Sequence, residues 1–352
     1  MKAIIPFIKT AATWSIACMF LLQLDSVKIA FQDGLQLCAG SVLPVLFPFF
    51  VLSDLWIRSG AASNVACYFA PFMKAVFHLP GSTAPAFLLG SVGGYPVGAR
   101  TISQLYRNGE VSQKAAEQAL IFCNNAGPSF IIGFVGHCVL QNLRAGVLLY
   151  VIHLLSSIIV GILLRPKEIE PFHANIPIHG EPILSAIKTS IYEGGKTAVT
   201  VCIYVLFFSL LTGCITQILP FPQGALIAFS GVLEITSGLQ LLTTASLPFR
   251  MTFAVSAFLL GFGGCCVLMQ SISFLAPAGL SCKKMLIGKG MQSIISGLIA
   301  YIVNPAPEVM SPCMRTDLSS AVSSSHCLIL LFAFAAILIL KITSGKKRNN
   351  HI

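Results

Sequence analysis

The stretch FLLGSVGGYPVGARTIS, residues 87–103, begins as an apolar helix and cannot continue as one. Gly93 and Gly94 loosen it, and Pro96 removes a backbone donor and so kinks or ends a helix. Tyr95 and Arg100 then bring polar groups to the interruption. Gly90, Gly94 and Gly98 recur every fourth residue, which on one helix would give a face for close packing through small residues. Arg100 either marks a membrane edge or meets a ligand.

Half a chain later the pattern returns as FLLGFGGCCVLMQSIS, residues 258–273. Gly263 and Gly264 answer Gly93 and Gly94, and Gln270, Ser271, Ile272 and Ser273 answer Arg100, Thr101, Ile102 and Ser103. Upstream, VLFPFFVLSDL from Val45 has a weaker echo in VLFFSLLTG from Val205. Chance likeness between Leu- and Gly-rich segments is the plain alternative. The order of the two matches and the polar identities after the glycines favour duplication. Duplicated halves, each with a Gly/Pro-interrupted apolar segment, are the pattern of a transporter-like core. Lipid cannot satisfy the backbone groups freed at a break, so such segments face protein or a wet cavity.

Composition supplies the solvent. Of 352 residues, 55% are hydrophobic and 10% charged, with a mean hydropathy of +0.84. A soluble domain carries roughly 25% charged residues, so a secreted enzyme, a disordered regulator and a nucleic-acid reader are excluded. The net charge of +10 comes from cations scattered between apolar runs, such as Lys2, Lys9, Arg165, Lys167, Lys283, Lys284 and Lys346 to Arg348. That placement suits membrane orientation. The 12 cysteines form no CxxC, which argues against a zinc site or a disulfide framework. Cys18, Cys38, Cys67, Cys123, Cys202 and Cys327 read as buried thiols acting as small hydrophobes, and Cys265–Cys266 is the pair to watch.

The fold class expected is all-α: a polytopic helical membrane protein with about eight to ten spans and two related halves, each with an interrupted or re-entrant segment. Residues 10–24 read as a retained anchor followed by the flank DSVKIAFQDG, since no cleavage motif follows. Spans are expected at 34–57, 143–164, 197–219, 224–242, 251–276 (interrupted by GFGGCC) and 285–303, with a last apolar run at 327–340. Residues 61–76, 84–99 and 112–136 are too broken by Pro, Gly or polar residues to be simple spans. The stretch 165–181, with His173 and His179, is the main hydrophilic loop, and 304–325 is a second.

Besides the first break, CNNAGPSF at 123–130 places Asn124 and Asn125 before Gly127 and Pro128. Two adjacent amides cannot both face lipid without a large desolvation cost; they either stabilise a broken helix or bind a substrate or ion. The candidate pore-lining residues are therefore Gly94, Tyr95, Pro96, Gly98, Arg100, Asn124, Asn125, Gly127, Pro128, Gly263, Gly264, Gln270 and Ser271. The amides at 124–125 and the uncharged donors and acceptors Gln270, Ser271 and Ser273 of the second repeat suit a neutral polar solute, nucleoside- or sugar-like, and do not suit a multiply charged one. Glu234, in GVLEITSG, is the carboxylate placed deep in an apolar run. It either couples to a proton or sodium ion or has a structural pairing role. His153 has the same two readings, and His137 lies near a span end. No HExxH, GxSxG or Walker loop occurs, and Asp25, Asp33 and Asp54 fall at or near span ends. No catalytic residue, metal or cofactor is expected, and the chain is not read as an enzyme.

GGYPVGAR together with LYRNGEVSQKAAEQALIFCNNAGPSFIIGFVG closely resembles the YlbJ-type sporulation integral membrane proteins. The likeness runs over roughly residues 10–343, and the two quoted motifs are its specific part. Cys265–Cys266 stands where the family pattern leads one to expect a Leu-Ser-like pair. The family is similar to the Gate, or nucleoside-recognition, group, which includes concentrative nucleoside transporters and the membrane part of ferrous-iron transporters. The resemblance implies an N-terminal anchor and flank (1–33), a first Gate-like half (34–164), a hydrophilic loop (165–182) and a second Gate-like half (183–303). A loop (304–326) and a C-terminal span with a basic tail (327–352) follow. It implies a multi-pass protein of the mother-cell or forespore membrane, involved in cortex and heat-resistant spore formation; it does not imply a substrate, and passage of a small polar solute is the reading that the interrupted repeat adds. A non-transporting scaffold or sensor is the alternative. Partners on this reading are the lipid bilayer, a small polar solute or ion, and a second copy or other sporulation membrane proteins, with no nucleic acid.

Overall fold

Leu143, Val147, Val151, Leu155 and Ile159 recur every fourth residue and point outward from their helix. Gly146, His153, Ser156, Ser157 and Gly161 of the same helix are buried. The pattern of a water-soluble helix is thereby inverted: the small and polar residues face protein and the branched aliphatics face the surroundings. The helix ending at Val303 repeats this, with Ile287, Ile294, Leu298 and Ile302 outside and Gly288, Lys289, Gln292, Ser293 and Ser296 inside. A hydrocarbon environment accepts the outer faces, and the inner faces can approach closely because their side chains are small.

The structure, a computed structural model, describes residues 4–167, 180–219 and 221–305. Among them every regular element is helical. The helices are α1 (Ile4–Leu22), α2 (Leu24–Leu37), α3 (Leu43–Arg58), α4 (Ala61–Phe72), α5 (Ala84–Gly93), α6 (Val97–Arg107) and α7 (Gln113–Ala119). There follow α8 (Leu143–Leu163), α9 (Ile183–Ile218), α10 (Gln223–Leu233), α11 (Ile235–Leu242), α12 (Phe249–Phe262), α13 (Gly264–Leu275) and α14 (Lys283–Val303). Wider π-helical turns occupy Cys38–Val42, Met73–Phe77 and Ser129–Val139.

Four helical segments are long and apolar enough to cross a membrane: Leu143–Leu163, Ile183–Ile218, Phe249–Ala278 and Lys283–Val303. A fifth is obtained if Thr13–Leu22 and Leu24–Gly40, bent by 96°, count as one. The other apolar runs are short or interrupted. The span expected at 224–242 is broken into α10 and α11 at Glu234, because that residue caps a new helix start. The span expected at 197–219 is the second part of the 36-residue α9. The polar flank after the first run, DSVKIAFQDG, is helical in α2, with an apolar stripe on Ile29, Phe31 and Leu35 exposed at its surface. The span at 34–57 runs through the π turn at Cys38–Val42 into α3. Residues 61–76 form α4 and a π turn, and 112–136 become α7, an irregular stretch and the Ser129–Val139 segment. The helix break expected within 84–99 is present between α5 and α6. The middle of the hydrophilic loop with His173 and His179, most of the 304–326 loop and the 327–340 run lie outside the described residues.

α12 packs along α14, and both α2 and α3 pack along α9. Phe77 and Phe122 stack at 4.0 Å between ring centroids, in a core that also takes Val160, Leu268, Leu275 and Met285. The two sequence halves thus share their interior. Cys38, Cys123 and Cys202 are buried as expected, but Cys18 and Cys67 are exposed. An outward thiol on an apolar helix costs little beside lipid, so sequence environment alone does not place it.

Candidate functional site

Four interruptions converge. The first lies between α5 and α6, where Gly94 takes φ +82 and the Tyr95–Pro96 bond is cis. The second is the irregular stretch 121–128 between α7 and the Ser129–Val139 segment. The third is Glu234 between α10 and α11, and the fourth is Gly263, with φ +86, between α12 and α13. They meet in pairs. A Cβ on Gly94 would stand 2.9 Å from Gly127 N, and one on Gly264 3.2 Å from Ile235 N. Gly90 and Gly98 let α5 and α6 approach closely, a Cβ on Gly90 standing 2.8 Å from Gly98 Cα, but they sit on two helices, not one, and also face a third segment. A side chain on either would overlap the Cys123 carbonyl, which threads between α5 and α6. The fourth-residue repeat is a cradle for an unwound backbone.

At this junction lies a cavity of about 320 Å³. Gly94, Tyr95, Gly127, Glu234, Thr236 and Gln270 contribute to its wall, with apolar side chains of α9 and the Ser129–Val139 segment completing it. Of the sequence-predicted residues, Gly94, Tyr95, Gly127, Glu234 and Gln270 therefore share one surface. Pro96, Gly98, Arg100, Asn124, Asn125, Pro128, Gly263, Gly264 and Ser271 do not line it.

Each of the polar ones outside the cavity has a visible occupation. Arg100 is buried and bonds Asp54 Oδ1 at 3.2 Å, Ser53 Oγ at 3.3 Å and Phe50 O at 3.2 Å. It does not line the cavity wall. Asn124 Nδ2 donates to Ser271 Oγ at 2.8 Å, joining the two halves. Asn125 Nδ2 donates to Phe122 O at 2.8 Å, closing the unwound turn on itself. His153 Nε2 accepts the Ala126 N–H at 3.0 Å, so its ring proton sits on Nδ1. Asn124 Oδ1 and the Tyr95 hydroxyl are buried without a protein partner among the described residues.

Glu234 is 2% exposed. Its oxygens accept Thr236 N–H at 3.0 Å, Ser237 N–H at 2.7 Å and Ser237 O–H at 2.8 Å. The carboxylate caps α11 and is stabilised by the positive end of that helix.

Two groups escape a reading of the sequence. Asp54 lies near the end of α3 as expected, but its full burial was not legible: it accepts from Arg58 at 2.6 Å, Gln104 at 2.6 Å and Ser190 at 3.0 Å besides Arg100. Lys289 is buried in α14, and its Nζ donates to Gln292 Oε1 at 2.8 Å. Gln292 Nε2 in turn reaches Asn125 Oδ1 and His153 O, each at 3.2 Å. The signal for Lys289 was its register: Met285, Lys289, Gln292, Ser293 and Ser296 share a helix face.

Among the described residues no group of three His, Cys, Asp or Glu side chains could hold a metal ion. The family model described as Gate, nucleoside recognition, matches residues 39–229, more than half of the chain. The chain is 26% identical over 380 aligned residues to the protein named "Sporulation integral membrane protein YlbJ" of Bacillus subtilis (strain 168), covering 91% of this chain and 92% of that relative. No solved structure matches.

Proposed function

Because this chain belongs to the Gate, nucleoside-recognition family, we propose that its cavity is part of a permeation pathway for a small polar solute of nucleoside-like size. The observation that carries this reading is the meeting of helix breaks around about 320 Å³ of space, within the range of small-molecule sites. A mostly apolar wall with a few polar groups, among them Tyr95, Glu234, Thr236 and Gln270, favours a neutral or weakly charged solute. Two related halves fit the way the breaks pair: α5–α6 against 121–128, and α10–α11 against α12–α13. The eight to ten spans of this reading count, besides the four or five long helices, the broken pairs α5–α6 and α10–α11, the shorter apolar helices and the apolar run at 327–340. The relative's printed name supports a role in sporulation as an integral membrane protein; on our reading that membrane is the mother cell's or the forespore's, and the role serves the spore cortex.

The pathway is tested by Tyr95→Cys, Glu234→Cys and Gln270→Cys in membranes, probed with a charged thiol reagent from either side. Labelling of at least one position from each side is expected. Protection of all three from both sides sinks the pathway and leaves a non-transporting scaffold or sensor. Glu234 is the ion-coupling candidate of this reading, and Glu234→Gln should change solute uptake or its pH dependence in vesicles. Metabolite comparison of a deletion strain with its parent during spore formation would identify the solute.

A further inference from the structure

Two helical hairpins, α5–α6 and α10–α11, reach the cavity from opposite faces. On one face the start of α7, the end of α8 and the approach to α14 lie together: Gln118 Nε2 donates to Leu164 O, and the Ser281 N–H donates to Glu117 at 3.0 Å. His78, ahead of α5, donates to Pro166 O at 2.8 Å on that same face, and α6 leads back to α7 there. On the other face α12 begins and α14 ends, joined by Arg250 Nε and Tyr301 O at 2.8 Å. Both ends of α10–α11 belong to this face, since Gln223 Nε2 reaches Thr244 O at 3.4 Å shortly before α12. Each hairpin closes on itself at glycines. A Cβ on Gly90 would stand 2.8 Å from Gly98 Cα, and one on Gly238 2.2 Å from Gly231 Cα.

The two are held in different ways. α5–α6 is bonded to three neighbours. Arg100 and Gln104 bond Asp54 of α3, Ser91 O accepts the Tyr150 hydroxyl of α8, and Ser91 Oγ accepts from Asn125 of the irregular stretch. For α10–α11, among the described residues, the side-chain hydrogen bonds of 223–244 all stay within that segment. What joins it to the rest is apolar: Ile227, Ile235, Leu239 and Leu242 share a core with Leu259, Leu260 and Val267. Its tip rests on Gly264, which has no side chain to catch it. Moving α5–α6 would strand a buried ion pair and polar groups where lipid cannot satisfy them. Sliding α10–α11 trades apolar neighbours for lipid chains that are as apolar, and Glu234 keeps all of its hydrogen bonds because they travel with it.

We infer that α10–α11 is the movable lid of the cavity, opening it to the face where α14 ends, and that α5–α6 is a fixed wall. The lid's tip supplies Glu234, Ile235 and Thr236 to the cavity wall, so its displacement uncovers the cavity from that face. The self-contained cap of Glu234 is what lets the hairpin move as one body. This deepens the pathway reading above and rests on it.

The test is a clamp between the lid and α12. A Cβ on Gly231 stands 3.3 Å from Leu259 Cγ, the place a cysteine sulfur at 259 would take, so Gly231→Cys with Leu259→Cys suits a disulfide. The pair is combined with Tyr95→Cys or Gln270→Cys in membranes, oxidised with copper phenanthroline, and probed with the charged thiol reagent, with labelled peptides read by mass spectrometry. Labelling from the α14-end face should fall about tenfold or more on oxidation and return with dithiothreitol, as for a gate that must open before the reagent enters. Labelling from that face that is unchanged by the clamp overturns the lid and leaves the pathway intact. So does labelling of the reduced protein from the other face only. Protection of both positions from both faces in the reduced protein overturns the lid together with the pathway. If the clamped variant does not fold, spin-label distances in nanodiscs serve, with Cys18, Cys67, Cys138, Cys265 and Cys282 changed to serine. Val232→Cys with Leu298→Cys should then give a broad or two-peaked distribution, and Asn108→Cys with Leu163→Cys a single narrow one. A distribution for the first pair no wider than for the second overturns the lid.

Discussion

Gly90 and Gly98 show how much one hydrogen atom can decide. Each faces the Cys123 carbonyl so closely that a Cβ would occupy the oxygen's place. Because the obstacle is backbone, it cannot rotate away. Gly90→Ala or Gly98→Ala should therefore cost more than about 2 kcal/mol, seen as a fall in Tm and loss of the monodisperse peak in detergent. Gly133→Ala, with open space around its Cβ, is the control expected to hold its Tm. Glu234→Gln is a gentler case. The amide keeps one acceptor oxygen but turns the other position into a donor facing N–H and O–H groups, so a loss of about 1 kcal/mol is expected. An unchanged Tm would mean that the cap is not what holds α11. At this scale the sequence was half legible. It marked the glycines, the amides and Glu234, and it gave the glycines a helix as neighbour, which Gly90 and Gly98 find in each other. Their tighter neighbour is a carbonyl 25 residues or more away in the chain, and periodicity carries no information about that.

Between elements, Asp54 is the knot. Its carboxylate holds α3 to α6 through Arg100 and Gln104, and to α9 through Ser190. Removing one charge from a buried pair leaves the other uncompensated, typically at about 3–5 kcal/mol. Asp54→Asn should accordingly lower Tm far more than Glu181→Gln, whose pair with Arg58 is largely exposed. Similar effects from the two would show that Arg100 is solvated in the membrane-embedded protein. The break in 224–242 belongs to this scale as well. Apolar composition favoured one span, yet a carboxylate in an apolar segment needs donors, and the nearest are the free N–H groups at the start of α11. Ending α10 there meets both needs at once.

For the molecule as a whole, the distribution of thiols reports the inside-out arrangement of polarity. Cys18, Cys67 and Cys138 lie on the surface, whereas Cys38, Cys123, Cys202, Cys214 and Cys266 are buried. In detergent-solubilised protein a maleimide should label the first group readily and reach the second only after denaturation, as read by mass spectrometry of the peptides. Early labelling of Cys123 or Cys266 would mean that the junction of breaks opens readily.

By itself the sequence determined the solvent, the helical class, the Gly/Pro interruptions and the short list of polar residues near them. These follow from local rules, because hydropathy, helix breaking and desolvation act on residues within a turn or two of one another. Only the tertiary structure decided which breaks meet, that five of the expected residues share one cavity, and that Arg100 belongs to Asp54. It also decided that Lys289, which reads in the sequence as one more scattered cation, lies buried a ring's width from the cavity. Those outcomes depend on contacts between segments up to two hundred residues apart, where packing and charge pairing, not local pattern, set the free energy.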